Sequence, residues 1–310
     1  MYGVDYDNPW LTSAEASRRR PAVWIAGAIG LAVAGAFLAM FRLTAPSLAA
    51  ALMAAMSALP DGWPLALSGS LLEVVVFATL LAVALLGLRL ARRSAAAAED
   101  APAATAAIRP SRAGRTAAWL TAGLVIGAAG FCASALIAGA FGGISRSAAT
   151  GIAPLAGSAV LGLAVVALQA FSEEIFFRAW LQPILCVRLG PWLGLAATSA
   201  LFAGLHLIAG AAGALAALNM FLGGLVFGLL ALRSGGIAAA WGAHFAWNWT
   251  ESGAMGLEPT ATGGLAGFRL DGPPIWGGGP EHMNASVATT LVLLAIAGAL
   301  ILVGALRRRA

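Results

Sequence analysis

The chain has 310 residues, 60% of them hydrophobic and 10% charged, with a mean hydropathy of +0.88. A soluble domain carries about 25% charged residues, so this composition excludes an ordinary water-soluble protein and indicates one that crosses the membrane several times. The net charge of +5 comes from arginine alone, because the chain has no lysine, and most arginines flank apolar runs. That is the positive-inside pattern of a membrane protein and not a nucleic-acid-binding surface.

Residues 1–20 form a polar leader that ends in Arg18-Arg19-Arg20. The first apolar run, Ala22 to Phe41, reads as a signal-anchor span entered from the cytoplasm. Residues 44–64 are interrupted by Pro46, Pro60, Asp61 and Pro64, which predicts a short interfacial helix and an outer turn. Leu65 to Leu90 is the second span; Glu73 reaches the outer interface, and Arg89, Arg92 and Arg93 close the inner end. Residues 94–116 are rich in Ala, Pro and Arg and read as a cytoplasmic linker whose Arg109, Arg112 and Arg115 sit close to anionic headgroups.

Further spans are expected at 117–141, 152–171 (the Glu-Glu stretch then continuing as an aromatic-rich helix to about Leu189), 192–209 and 215–232, then a short one at 237–250 and a last one at 286–306. The Gly/Pro-rich loop 251–283 holds four acids and a single arginine, Arg269. With the N-terminus inside, only Arg42, Arg146 and Arg269 fall outside, while Arg178, Arg188, Arg233 and Arg307 to Arg309 fall inside with the rest. The expected fold is therefore an all-α polytopic transmembrane helix bundle of about eight spans with both termini cytoplasmic. It divides into residues 1–93, the linker 94–116 and a domain at 117–310. Cys132 and Cys186 both sit among apolar residues and read as buried hydrophobes without a disulfide.

Charge at membrane depth is costly and marks function by default. Inside the spans the polar set is small: Gln169, Glu173, Glu174 and Arg178 on one helix, His206 on the next, and His244 with Asn248 on the short seventh. Glu174 and Arg178 are four apart and share a face, as do His244 and Asn248. Phe202 lies one turn from His206. Glu173 is rotated about 100° from Glu174, so the two carboxylates meet different neighbours.

These residues resemble the three motifs of the CAAX protease and bacteriocin-processing family of intramembrane endopeptidases: Glu173-Glu174-x-x-x-Arg178, Phe202-x-x-x-His206 and His244-x-x-x-Asn248. The similarity covers residues 155–251. It implies that Glu173 and His206 activate a water, that His244 and Asn248 stabilise the tetrahedral oxyanion, and that Glu174 and Arg178 support them. It implies a membrane-associated peptide or lipidated protein terminus as substrate, cleaved near the cytoplasmic face, and no nucleic-acid partner. No obligatory cofactor is expected; zinc on Glu173, His206 and His244 is the alternative chemistry. A proton-linked transporter also uses buried Glu, His and Arg but predicts two related halves, and no internal repeat is visible. A non-enzymatic membrane partner that keeps the fold is the third reading. The lysine-free, Ala/Arg-rich composition points to a GC-rich bacterial genome and hence to the bacterial cytoplasmic membrane.

Overall fold

The computed structural model describes residues 21–59, 63–96, 113–146, 156–211, 213–257 and 264–306. The arginine-rich leader, most of the linker, residues 258–263 of the loop and Arg307 to Arg309 lie outside the described residues.

Long apolar runs with few helix breakers give long helices. They are α1 (Pro21–Ala55), α2 (Trp63–Ala96), α3 (Ala113–Ala140), α4 (Ala156–Glu174), α5 (Gln182–Leu189), α6 (Pro191–Ala209), α7 (Ala214–Ser234), α8 (Ala238–Trp249), the single turn α9 (Pro274–Gly277) and α10 (Val287–Leu306). A π-helical segment, Ile175–Leu181, joins α4 to α5 without a break, so 160–189 is one continuous span. Among the described residues seven helices are long and apolar enough to cross a membrane, and the chain is an integral, multi-pass, all-α membrane protein.

The eighth expected segment differs in form. α8 has 12 residues and continues into a π-helical turn, Thr250–Met255. Twelve residues rise about 18 Å, short of the roughly 30 Å hydrocarbon core. α8 lies sheathed by other helices, with Ala239, Ala240, Gly242, Ala243 and His244 all buried.

Three other expectations need correction. The first helix does not stop at Phe41; it runs to Ala55 with Pro46 inside it. Proline removes one hydrogen bond there, and the lipid-level environment and the flanking apolar residues hold the remaining ladder together. Cys132 is exposed on α3, while Cys186 is buried. The helix runs on to Leu189 as expected, but the Glu173–Arg178 stretch lies within the span and not at its end: α5 closes 16 residues past Glu173, about 24 Å further along the axis. Arg178 is accordingly 3% exposed and reaches no interface.

Two apolar cores flank the site. One joins α3, α7, α8 and α10 around Phe131, Val226, Leu230, Trp247 and Leu293. The other joins α1, α2, the π segment and α6 around Phe176, Phe177, Trp180 and Phe202. Trp180 is wedged between α1 and α2 at two glycines; a Cβ on Gly30 or Gly87 would run into its indole. On the other side, Gly123 and Gly127 of α3 lie against the backbone of Ala239 and Ala243, so α3 meets α8 at backbone distance.

The end of the bundle carries a small two-stranded antiparallel sheet, built from distant parts of the chain, that sequence patterning did not signal. β1 (Ile144–Arg146) pairs antiparallel with β2 (Phe268–Leu270), with Ser145 opposite Arg269. Asn219 of α7 ties the chain down behind it, donating to the carbonyls of Asn284 and Ser286 and accepting from Thr290.

Candidate active site

The site starts from a change of helical pitch. In an α-helix, residues four apart drift about 40° around the axis. The wider turn of the π segment removes much of that drift, so Glu174, Arg178 and Gln182 form a row facing α7. The row attaches at equal spacing: Arg178 Nη2 donates to the Gly224 carbonyl at 3.2 Å, and Gln182 Nε2 donates to the Gly228 carbonyl at 3.1 Å. Glycine allows this approach, because a Cβ on Gly228 would collide with Leu195 and crowd Gln182. Single π turns inside helices are rare and concentrate at functional sites.

Glu174 is fully buried and its Oε1 accepts two bonds. Arg178 Nη1 donates to it at 2.9 Å, and His244 Nδ1 donates to it at 2.9 Å. The Arg178 guanidinium lies over the rings of Phe202, Phe227 and Phe177, with centroid distances of 4.7, 5.5 and 5.6 Å. A buried cation is tolerated where a carboxylate, a carbonyl and aromatic faces replace its hydration together.

Glu173 points the other way, toward two imidazoles. Its Oε2 stands 3.8 Å from His206 Nε2 and 3.9 Å from His244 Nε2. Both separations exceed hydrogen-bond length, and this buried oxygen has no hydrogen-bond partner among the described residues. His206 Nδ1 is 2.8 Å from the Phe202 carbonyl, which can only accept, so Nδ1 carries the proton and Nε2 offers a lone pair. His244 likewise spends its Nδ1 proton on Glu174. Aromatic contacts hold both rings: Phe227 stacks on His244 at 4.5 Å and 15°, and Phe202 lies 4.3 Å from His206. Glu173, His206 and His244 thus surround one small polar gap in an otherwise apolar interior. The gap is not sealed, since the His206 side chain is 24% exposed. Asn248 lies one turn beyond His244 on the same helix and is half-buried.

Residues 155–250 of this chain match the family model of the type II CAAX prenyl endopeptidase Rce1-like proteins. The match falls on the segment that carries the three motifs resembling the CAAX protease and bacteriocin-processing family. No curated protein and no solved structure matches the chain. The matched segment covers about a third of the chain and runs from α4 to the start of the second π turn. It contains all six candidate residues, Glu173, Glu174, Arg178, His206, His244 and Asn248. α1, α2, α3 and α10 lie outside it, yet α1 and α2 clamp Trp180 and α3 backs α8 directly behind His244.

Two imidazole Nε2 atoms and a carboxylate oxygen are a donor set chemically suited to zinc. Tetrahedral zinc with bonds of about 2.0–2.1 Å places its ligand atoms roughly 3.3–3.4 Å apart. Here Glu173 Oε2 stands 3.8 and 3.9 Å from the two imidazole nitrogens. Among the described residues no group of three His, Cys, Asp or Glu side chains is arranged to hold an ion.

The structure also brings in residues that the motifs do not contain. Gln182 is eight residues past Glu174, and its tie to Gly228 depends on the π pitch, which residue pattern does not reveal. Phe227 sits in an apolar run indistinguishable from its neighbours. The Gly224/Gly228 pair, visible as a small-xxx-small pattern, was the one available signal, since it marks where α7 admits polar side chains to its backbone. Gln169 is half-buried; its carbonyl accepts from Ser172 within the helix.

Proposed function

We propose that this chain is an intramembrane endopeptidase of the CAAX protease type, and that Glu173 and His206 activate the water that attacks the scissile carbonyl. The observation that carries the reading is the Glu173 carboxylate oxygen, buried and without a protein partner, facing two imidazole nitrogens across gaps that suit a bridging water. Glu173 takes a proton from that water as it attacks, and His206, whose Nε2 lone pair faces the same gap, shares it and delivers it to the leaving amine. In its doubly protonated form His244 keeps Nδ1–H on the Glu174 carboxylate and donates Nε2–H to the tetrahedral oxyanion together with the Asn248 carboxamide. Glu174, Arg178 and Gln182 keep His244 and the π turn in register.

The substrate class that fits is a membrane-associated peptide or lipidated protein terminus, because a peptide bond must reach a gap enclosed by helices and lipid. The family match points to prenylated termini within that class, and the lysine-free, Ala/Arg-rich composition supports a bacterial cytoplasmic membrane as its location. Zinc on Glu173, His206 and His244 would supply a polarised water if bound, and the spacing favours a water activated by Glu173 and His206 alone.

The experiment is turnover by the purified full chain in phospholipid vesicles, with one peptide series bearing a C-terminal farnesylcysteine and a matched unprenylated series, products identified by mass spectrometry. We expect cleavage that persists in excess chelator and that falls on the order of 100-fold in Asn248→Ala. Stoichiometric zinc whose removal abolishes turnover contradicts the metal-free reading. Absence of cleavage of any membrane-associated peptide contradicts the protease reading.

A further inference from the structure

A second cavity lies between α3, α7 and α10, with the start of α6 at one end. It has a volume of about 990 Å³ and contains none of Glu173, His206, His244 or Asn248 in its wall. Its size sits at the upper end of the roughly 300–1,000 Å³ typical of small-ligand sites. Its long walls are apolar, with Ile126 and Ala133 on α3, Leu229 on α7, and Ile296 and Ala299 on α10 among them. An apolar groove of this kind between membrane-spanning helices is filled by hydrocarbon when the protein sits in a bilayer.

One end of this groove differs from the rest. The lining carries a single charged side chain, Arg233, whose guanidinium lies against Gly304 near the end of α10. Trp119 and Trp192 line the same cavity close to the first residues of α3 and α6. These helix ends, with the end of α7 at Ser234, mark one membrane interface, and tryptophan and arginine are the side chains expected at headgroup depth. From Trp119 the groove extends along α3 to Ala133, about 21 Å of helix, which is more than half the thickness of the hydrocarbon core. A guanidinium at the interface and an apolar trough leading inward match a phosphate joined to an acyl chain.

We infer that this groove is a binding site for one anionic glycerophospholipid, its phosphate on Arg233 and an acyl chain laid between α3 and α10. The inference is independent of the protease reading. Because α3 also backs α8 behind His244, the lipid fixes the spacing between α10 and the helix pair that carries the site.

The test is lipid extraction from the full chain purified in mild detergent, with phospholipid classes quantified by mass spectrometry. Wild type should retain about one anionic phospholipid per chain, and Arg233→Gln should lose most of it. Because Arg233→Gln can weaken the fold, Ala299→Phe, which fills the groove with hydrocarbon, serves as the second variant and should also release the lipid while the protein stays monodisperse and helical. Phosphatidylglycerol should raise the thermal midpoint of wild type and not of Ala299→Phe, whereas phosphatidylcholine and inorganic phosphate should leave wild type unchanged. Equal retention in all three proteins, equal stabilisation by phosphatidylcholine, or the same shift from inorganic phosphate alone would each overturn the assignment. So would release of the retained lipid by a farnesylated peptide, which would make the groove a substrate channel.

Discussion

Glu174 holds the Nδ1 proton of His244 across 2.9 Å while the same oxygen accepts from Arg178 at 2.9 Å. One carboxylate thus compensates a buried cation and fixes the tautomer of an imidazole whose other nitrogen faces Glu173. The two roles separate by mutation. Glu174→Ala leaves the Arg178 charge buried without its carboxylate and should cost about 3–5 kcal/mol, seen as a large drop in thermal midpoint in detergent. Glu174→Gln keeps the volume and an acceptor, so the protein should fold, but without a carboxylate to support an imidazolium at His244 its turnover should fall about 100-fold or more. Wild-type turnover in Glu174→Gln would remove Glu174 from the account.

Trp180 makes the first two helices part of the site's support. Its indole is 2% exposed and fits only because positions 30 and 87 are glycine. Trp180→Ala should cost about 3–5 kcal/mol through the cavity it leaves. Gly87→Leu should cost about 1–3 kcal/mol by overpacking the same contact. Both are read as thermal midpoints, and both should lower turnover, since Trp180 lies within the π turn that sets the Glu174–Arg178–Gln182 row.

The two-stranded sheet at the bundle end carries a pH signature. Asp271 accepts from the Gly272 backbone N–H, from the Ser145 hydroxyl and from Arg269, and these bonds, the Gly272 one foremost, hold its carboxyl below the usual carboxylate range. A depressed carboxyl stabilises the folded state above its ordinary value, and the contribution disappears as pH falls through the lower folded value. Asp271→Asn should therefore be less stable than wild type near neutral pH, with the difference shrinking as the pH is lowered below about 4. A difference independent of pH would contradict this.

The helical bundle was legible because long apolar runs between arginines have few other solutions in a bilayer. The residues of the site were legible because isolated charges at that depth stand out, and spacing of four put Glu174 with Arg178 and His244 with Asn248. Three features were not legible. The π pitch at Ile175–Leu181 depends on how Arg178 and Gln182 reach the carbonyls of α7, a tertiary effect. Pro46 looked like a terminator, but a proline ends a helix only where water or a turn offers its neighbours better hydrogen bonds. The depth of the charged stretch was the third: the helix was readable on to about Leu189, but the span boundary drawn at Phe171 put Arg178 at an interface, whereas its partners lie inside the bundle.

The central claim is that Glu173, and not Glu174, is the base. The direct measurement is single-turnover cleavage of a membrane-anchored peptide by wild type and Glu173→Gln, both in vesicles, with thermal midpoints recorded on the same samples. The account predicts an unchanged midpoint within about 1 kcal/mol and a rate lower by on the order of 1,000-fold. A Glu173→Gln protein that cleaves at the wild-type rate would contradict it.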